Sequence, residues 1–358
     1  MTGSSALRLD RVRKDYGPVT AVQEMSLDIA PGQLVTLLGP SGCGKTTTLR
    51  MVAGFESPTS GRILIGERDV TGLPPHRRNL GMVFQNYSLF PHRTVAENIA
   101  FGLRMAGRSR AEQQEAVARM LDLVQLKDRG DMYPRQLSGG QQQRIALARS
   151  LVLDPRVLLL DEPLGALDKA LRESMQFEIR TMQQRLGITT LLVTHDQEEA
   201  MTMADQIAVM HSGRVLQMGA PAAIYNRPES RFVAEFLGTS NIFDGPVLPS
   251  GQEIAADGMT IRLPQAATPG AQVGVSIRPE RILIGDAAQA LPNRARARIA
   301  GRVFRGTYET LHLEIGPAAR QVHAYLQSGT APAGAAGQAG GECWIGWDPA
   351  DSVIVTAQ

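Results

Sequence analysis

A glycine-rich segment lies between an apolar run and a helical pattern near the start of the chain. The run LVTLLG (34–39) leads into GPSGCGKTT (39–47), whose glycines allow a close backbone approach to a bound group. Successive N–H groups of such a loop surround phosphate oxygens at a helix N-terminus. A glycine-rich turn without a ligand is the alternative. The context favours a triphosphate-binding loop, with these candidate contacts: Gly39, Pro40, Ser41, Gly42, Cys43, Gly44, Lys45, Thr46 and Thr47.

Three side chains at the end of this loop suit the chemistry of a bound triphosphate. Lys45 places a positive charge near the β- and γ-phosphates, and Thr46 offers a hydroxyl ligand to Mg²⁺. Thr47 is placed for a second phosphate contact. Cys43 is interpreted as a small loop residue without a catalytic role. A nucleoside triphosphate with Mg²⁺ is therefore the expected ligand.

A second candidate site follows the apolar strand in VLLLDEP (157–163). Asp161 at the end of the strand can hold Mg²⁺ through water, and Glu162 can polarise an attacking water molecule. A strand followed by an acidic turn is the alternative. Because the segment lies downstream of a phosphate loop, we expect hydrolysis of the triphosphate, with Glu162 as a catalytic residue and Asp161 as a metal ligand.

The elements that hold these segments follow from the pattern of apolar residues. Up to about residue 240 short apolar runs alternate with helical patterns, which predicts an α/β domain over residues 1–240. A helical insert is expected over about 88–155, where apolar residues recur at helical spacing. After residue 240, brief alternating strands and turns predict a small all-β domain over 241–358.

The composition is that of an ordinary globular protein. The chain has 358 residues, 43% of them apolar, and a formal net charge of +2, which indicates neither nucleic-acid nor anionic-membrane binding. Cys43 and Cys343 lie far apart without metal-ligand spacing, which fits a reducing compartment such as the cytoplasm. No stretch resembles a signal peptide or a membrane span, so membrane association is expected through partners. An Ala/Gly-rich stretch at 329–342 predicts a flexible loop.

The segment LSGGQQQRIALARSL (137–151) separates this chain from other phosphate-loop proteins. A Ser-Gly-Gly turn that leads into a helix is a second anion-binding N-terminus, in a chain that already has one for its own nucleotide. With the other motifs in the same order, residues 7–240 resemble the ABC transporter ATPase family. The resemblance implies ATP as the nucleotide and a head-to-tail homodimer with two bound ATP molecules. In that arrangement the signature segment of one subunit closes over the γ-phosphate held by the other.

The resemblance also assigns roles to single residues. The signature residues that act on the partner's nucleotide are Ser138, Gly139, Gly140 and Gln141. Gln85 in MVFQN matches the glutamine that meets Mg²⁺ and water, and His195 in LLVTHD matches the histidine that contacts the γ-phosphate and positions the water. Asp168 in GALD matches the D-loop at the dimer interface, and Tyr16 in KDYG matches the aromatic residue that stacks on adenine. Taken singly, each has an ordinary alternative as a polar or core residue.

Two further segments resemble parts of importer ATPases. Residues 85–103 resemble the surface that receives a permease coupling helix, and the aromatic residues Tyr87 and Phe90 either face that partner or pack inside the helical insert. The C-terminal region resembles the small OB-like regulatory (TOBE) domain of importer ATPases, with SIRPERI (276–282) as the best local match. Such a domain implies import rather than export, and it admits a small regulatory ligand.

The function implied by the resemblance is ATP-driven import through subunits that the chain does not contain. The homodimer is expected on the cytoplasmic face of the inner membrane, bound to two permease subunits and indirectly to a solute-binding protein. Residues 175–210 and 236–243 resemble polyamine (spermidine/putrescine) importers more than sugar importers. Ferric-iron, sulfate/thiosulfate, phosphonate and sugar importers are the alternatives. A soluble ABC ATPase without a transport role is a further one, although the chain lacks the long coiled-coil insertion or second cassette of that class.

Overall fold

The fold is that of a computed structural model, in which residues 4–165, 167–329 and 340–356 are described. The chain divides into two compact units, Met1–Ala222 and Ala223–Gln358, and each has its own apolar core. Among the described residues, no helix combines the length and the apolar character needed to cross a membrane. The predicted flexible loop at 329–342 lies mostly outside the described residues.

The first unit contains alternating strands and helices, which confirms the predicted α/β fold. Its strands in the described part of the chain are β1 (Leu7–Tyr16), β2 (Val19–Ile29), β3 (Leu34–Leu38), β4 (Ser60–Ile65), β5 (Arg68–Asp69), β6 (Leu80–Val83), β7 (Val157–Asp161), β8 (Thr189–Thr194), β9 (Gln206–His211) and β10 (Arg214–Gly219). Its helices are α1 (Lys45–Ala53), α2 (Val95–Met105), α3 (Arg110–Leu123), α4 (Gly139–Leu151), α5 (Lys169–Leu186) and α6 (Gln197–Met203).

The central sheet of this unit is mostly parallel. Its strand order is β10-β9-β3-β8-β7-β6, in which β9 and β10 are antiparallel and the other neighbours are parallel. Strands β3 and β8 are buried along their whole length, as expected for strands covered on both faces. Because parallel strands end at the same edge of a sheet, the segments that follow β3, β6, β7 and β8 come together there.

A second sheet, of order β2-β1-β4-β5, is antiparallel. Inward-facing residues of β1 and β2, such as Leu9 and Leu27, share one apolar core with Leu37 of β3 and Leu159 of β7. The hairpin of β1 and β2 is therefore packed on the central sheet of the same unit.

Helices α2, α3 and α4 lie between β6 and β7, in the region of the expected helical insert. Each begins with a reciprocal capping box, in which a hydroxyl side chain and a side chain three residues later satisfy each other's backbone N–H groups. The pairs are Thr94 with Glu97, Ser109 with Glu112, and Ser138 with Gln141. These helix starts are therefore specified by local residues.

The second unit is mainly β-structure, which confirms the predicted small β domain. Helix α7 (Pro221–Asn226) spans the division between the units, and α8 (Arg231–Phe236) follows. The strands are β11 (Asn241–Pro246), β12 (Glu253–Ala256), β13 (Met259–Arg262), β14 (Gln272–Ile277), β15 (Leu283–Ile284), β16 (Asn293–Phe304), β17 (Tyr308–Ile315), β18 (Arg320–Gln327), β19 (Glu342–Trp347) and β20 (Ser352–Val355).

These strands form sheets of order β11-β14-β20, β12-β13 and β15-β19-β16-β17-β18. Phe243 and Trp347 stack in their shared core with ring centroids 5.4 Å apart. Ala234 of α8 packs with Ile242 and Val355, so this helix belongs to the second unit. The predicted boundary between two functional domains at residue 240 remains a prediction.

Candidate active site

The predicted phosphate loop connects β3 to α1 and is shaped by its glycines. Gly44 directly precedes α1 with a φ of 104°, a left-handed conformation that residues with a Cβ atom rarely adopt. At Gly39 a Cβ atom would lie 2.3 Å from the carbonyl oxygen of Met210, so glycine is required there. The other candidates lie in the loop or the first turn of α1: Pro40, Ser41, Gly42, Cys43, Thr46 and Thr47. The loop thus ends at a helix N-terminus, where backbone N–H groups attract anions.

Lys45 is the first residue of α1, and its side chain is folded over the loop. Only 5% of the residue is exposed, and Nζ donates hydrogen bonds to the carbonyl oxygens of Gly39 at 2.7 Å and Pro40 at 2.9 Å. Nζ also lies 3.8 Å from the Cys43 sulfur. Phosphate oxygens can replace these carbonyls as acceptors for the ammonium group. Its charge is therefore already held where a phosphate would bind.

Three side chains predicted from separate segments meet at the end of β7. Glu162 follows this strand with a φ of 43°, and its N–H donates to the carbonyl oxygen of Val193 at 2.9 Å. Its Oε2 accepts a hydrogen bond from Nε2 of Gln85 at 3.1 Å, and its Oε1 lies 3.0 Å from Nδ1 of His195. Gln85 follows β6 and His195 follows β8, the two neighbours of β7 in the sheet. The Glu162 carboxylate is thus oriented through both oxygens, at the edge where the phosphate loop leaves β3.

Asp161 is the last residue of β7 and is half-buried. Burial and the adjacent Glu162 carboxylate raise the pKa of Asp161, and the positive charges of Arg50 and Lys45 lower it in part. Both residues that lower the pKa belong to α1, so Asp161 lies beside the helix that begins at the phosphate loop. A cation bound at this carboxylate would favour its ionised form.

The donors near the phosphate loop fit Mg²⁺, the metal that the motifs imply. Asp161 supplies a carboxylate, Gln85 an amide oxygen and Thr46 a hydroxyl, and such oxygen donors are the type that Mg²⁺ prefers. Within the described ranges, no group of three or more His, Cys, Asp and Glu side chains could hold a metal ion by itself. Mg²⁺ usually completes its ligands with water and phosphate oxygens, so a site of this kind is completed by the nucleotide.

Tyr16 ends β1 in the hairpin that packs on the phosphate loop. A Cβ atom on Gly44 would lie 2.5 Å from the carbonyl oxygen of Ala21 in β2, so hairpin and loop are in direct contact. The Tyr16 side chain is exposed, and Nζ of Lys14 lies 4.7 Å from the centre of its ring. The exposed ring suits the predicted stacking on an adenine base.

The signature residues lie at the start of α4, away from the phosphate loop in sequence. The N–H of Ser138 donates to Oε1 of Gln141 at 3.0 Å, and the N–H of Gln141 donates to Oγ of Ser138 at 3.4 Å. A cleft of about 470 Å³ opens beside this helix end, lined by residues 125–129, Ser138, Gly140, Gln141, Arg144, Leu171 and Met175. Within the described part of the chain, no residue of the phosphate loop lines this cleft. The cleft is therefore separate from the chain's own phosphate loop.

The signature glycines pack against the segment predicted as the D-loop. A Cβ atom on Gly139 would lie 3.1 Å from a methyl carbon of Leu167, and one on Gly140 would lie 3.1 Å from a methyl carbon of Leu171. Asp168 caps the N-terminus of α5 by accepting a hydrogen bond from the Leu171 N–H at 3.0 Å. The neighbouring residue 166 lies outside the described ranges. Signature segment and D-loop thus adjoin each other.

The two aromatic residues left open by the sequence have different environments. Tyr87 is buried, with 6% of its surface exposed, so it packs inside the first unit and cannot face a permease partner. Phe90 is half-buried, and its ring centroid lies 4.8 Å from that of Phe101. Of the pair, Phe90 alone retains surface that a partner could contact.

Two buried charged residues near the site were not predicted. The Arg78 guanidinium donates to the carbonyl oxygens of Met51 at 2.7 Å and Val52 at 3.0 Å, at the C-terminal end of α1. Glu199 in α6 is 2% exposed, burial raises its pKa, and its Oε2 has no hydrogen-bond partner among the described residues. Neither residue belongs to a motif, so the sequence carried no signal for them.

Comparison with known proteins agrees with this geometry. A family model described as ABC transporter matches residues 22–165, and a model described as TOBE domain matches residues 275–355. The first match contains the phosphate loop, the signature segment and Glu162. The second lies within the β-rich second unit.

Several curated proteins are similar over most of the chain. The spermidine/putrescine import ATP-binding protein PotA of Frankia alni is 47% identical over 98% of this chain and 79% of its own length. PotA of Thermobifida fusca is 46% identical over 98% of this chain and 93% of its own length. The Fe(3+) ions import ATP-binding protein FbpC of Rhizobium etli is 49% identical over 85% of each chain. The chain therefore belongs to the ABC transporter family of ATP-hydrolysing proteins and carries a C-terminal TOBE domain.

Proposed function

We propose that the chain is the ATP-hydrolysing subunit of an importer for polyamines such as spermidine and putrescine. It works as a homodimer on the cytoplasmic face of the inner membrane, bound to two permease subunits that receive cargo from a solute-binding protein. The proposal of ATP hydrolysis rests on the convergence of Gln85, Glu162 and His195 at the end of β7. The relatives named as polyamine importers support the cargo.

Hydrolysis requires a water molecule held in line with the γ-phosphate. Gln85 and His195 orient the Glu162 carboxylate, which accepts a hydrogen bond or a proton from that water. Lys45 compensates the negative charge that spreads over the phosphate oxygens. Mg²⁺, when bound at Asp161, adds further charge compensation at the phosphates. Since phosphoryl transfer depends on positioning and electrostatics, no covalent intermediate with the protein is needed.

The signature segment acts on the nucleotide of the partner subunit. Ser138 and the N–H groups at the start of α4 form a second anion-binding helix end, and the cleft beside it is not lined by the described residues of the chain's own phosphate loop. Two chains arranged head to tail complete two ATP sites. Asp168 lies next to the signature segment and forms part of the same dimer contact, and Tyr16 stacks on adenine.

The cargo is tested by uptake measurements in cells that lack the gene. We expect uptake of labelled spermidine and putrescine to fall to the diffusive background, and to recover with the wild-type gene but not with Glu162→Gln. Uptake of ferric iron in the same cells tests the second candidate, which the similarity to ferric-iron importers FbpC of Rhizobium etli and Agrobacterium fabrum supports. Loss of iron uptake with normal polyamine uptake would assign the chain to iron transport.

The C-terminal unit is proposed to regulate transport by binding a small ligand. Its similarity to the TOBE domain supports this role. The functional domains are proposed as residues 1–240 and 241–358. Transport assays with the full complex, titrated with the intracellular cargo, test whether the ligand inhibits uptake.

A further inference from the structure

The backbone just after Gln85 is in a conformation that needs support. Tyr87 and Ser88 have φ values of 54° and 50°, so two consecutive residues with Cβ atoms occupy the left-handed region. The Ser88 N–H donates to the carbonyl oxygen of Asn86 at 2.5 Å, which closes a tight turn. An isolated chain would seldom adopt this conformation, because each such residue carries a steric cost.

One arginine holds this turn from another helix. Nη2 of Arg149 donates to the carbonyl oxygen of Tyr87 at 2.8 Å, and Nη1 donates to that of Ser88 at 2.7 Å. The guanidinium also lies 5.7 Å from the centre of the Phe90 ring. Two hydrogen bonds from one rigid, charged group fix the orientation of both peptide planes. Burial lowers the pKa of the Arg149 guanidinium, which donates its hydrogen bonds to these two backbone carbonyls.

Arg149 also connects the turn to the signature segment. It lies in the last turn of α4, about 16 Å along the helix axis from Ser138, which caps the start of the same helix. The same helix end is packed on β6, because a Cβ atom on Gly81 would lie 2.6 Å from the carbonyl oxygen of Ser150. Strand β6 leads directly to Gln85. The end of α4 therefore contacts the Gln85 segment both before and after this residue.

We propose that Arg149 is a positioning residue for ATP hydrolysis. By holding the Tyr87–Ser88 turn, it keeps Gln85 on the Glu162 carboxylate and joins this contact to the helix that begins at the signature serine. The inference rests on the proposed roles of Gln85 and Glu162 in hydrolysis.

The test compares Arg149→Ala with Arg149→Ala/Ser88→Gly in the purified full chain. We expect Arg149→Ala to lower kcat about ten- to a hundredfold, the loss of two hydrogen bonds from a charged donor, with KM and the Kd for ATP changed less than about threefold. Adding Ser88→Gly should raise kcat about fivefold again, because glycine adopts the turn without support. Ser88 is exposed, so its substitution leaves the packing unchanged. Ser88→Gly alone is measured to account for the effect of the glycine itself.

Further variants keep the test decisive. If Arg149→Ala does not fold, Arg149→Lys is used, which retains the charge but not the paired donors, and Ser88→Gly should raise its kcat as well. Arg185→Ala, an exposed arginine near the end of α5, is the matched control and should keep the wild-type kcat. A wild-type kcat for Arg149→Ala, or an equal loss with and without Ser88→Gly, would overturn the inference. Glu162→Gln in the same assay distinguishes failure of the Arg149 proposal from failure of the proposed function. Full activity of Glu162→Gln would contradict the proposed function, whatever the result for Arg149.

Discussion

At the scale of single residues, two adjacent carboxylates have different surroundings. Asp161 is half-buried beside the phosphate-loop helix, and its pKa is raised by burial and by its neighbour. Glu162 is held through its two oxygens by Gln85 and His195. A buried carboxylate gains most from a cation, whereas an oriented and accessible one can act on water. This difference supports the proposed division between Asp161 as a metal ligand and Glu162 as the catalytic residue.

Replacing the catalytic carboxylate tests this division. We expect Glu162→Gln to lower the rate of ATP hydrolysis by about two to four orders of magnitude, because the amide cannot accept a proton from water. ATP binding should survive, since Lys45 and the loop N–H groups remain. Steady-state hydrolysis and nucleotide binding measure the two effects. Glu198→Gln, at an exposed position in α6, is the control. A near-normal rate of hydrolysis for Glu162→Gln would exclude the proposed role of Glu162.

The stability of the second unit is expected to fall at high pH because of Tyr225. The Tyr225 hydroxyl donates to Oε1 of Glu280 at 2.7 Å. Burial, followed by the Glu280 carboxylate, raises the pKa of Tyr225 to about 12. Since the pKa is higher in the folded state, the stabilisation is complete below pH 10 and is lost as the pH approaches 12.

Tyr225→Phe should therefore lower the unfolding free energy of the second unit by about 1 kcal/mol at pH 8, the value of one hydrogen bond. The difference from wild type should shrink as the pH rises above 10. Fluorescence of Trp344 and Trp347, both in this unit, reports its unfolding in urea. A constant difference across this range would show that the Tyr225 hydroxyl is not responsible.

At the scale of elements, the close packing of β6 against the end of α4 decides where Gln85 lies. Gly81 is buried in β6, and a Cβ atom there would lie 2.6 Å from the carbonyl oxygen of Ser150 and 3.1 Å from Pro155. The backbone carbonyl cannot turn away as a flexible side chain could. Strand and helix therefore approach too closely for a side chain at position 81.

Gly81→Ala should destabilise the first unit by about 1–3 kcal/mol, the usual cost of overpacking. Urea unfolding followed by far-UV circular dichroism measures the change. Gly72→Ala is the matched control, because a Cβ atom at that position meets no atom within 4 Å. Equal stability of the two variants would contradict the close contact between β6 and α4.

At the scale of the whole molecule, each chain is proposed to contribute one half to each of two ATP sites. The phosphate loop with Lys45 lies at the start of α1, and the signature segment with Ser138 lies at the start of α4 beside a cleft of its own. Each half alone offers an anion-binding helix end. A dimer that brings unlike halves together therefore explains why one chain needs both.

Mixing two inactive variants tests the shared site. Lys45→Ala and Ser138→Ala homodimers should each be inactive, whereas a mixed dimer retains one intact site. With random pairing and independent sites, the mixture should recover about a quarter of the wild-type rate. Ser109→Ala removes the same kind of capping box from α3 and controls for the loss of a helix cap. If mixing restores no activity, the phosphate loop and the signature segment of one chain act on the same nucleotide, and the shared site is excluded.

Local residues were enough to predict most of the participants. The glycines before Lys45, the apolar strand before Asp161 and the capping pair Ser138/Gln141 act within a few residues, and the structure places each at the expected turn, strand end or helix start. The composition and alternation of the C-terminal part were likewise enough to predict a β domain. These features depend on short-range sterics and hydrogen bonds, which the order of residues specifies directly.

The contacts among distant residues were decided by the tertiary structure. Strand order places β6 and β8 on either side of β7, which brings Gln85 and His195 to Glu162. The pairing of Arg149 with the Tyr87–Ser88 turn depends on how α4 packs on β6. Hydrogen bonds between residues far apart in sequence arise only after sheets and helices have packed. The sequence by itself therefore determined most of the candidate residues, and the packed fold decided which of them meet and brought Arg149 to the segment after Gln85.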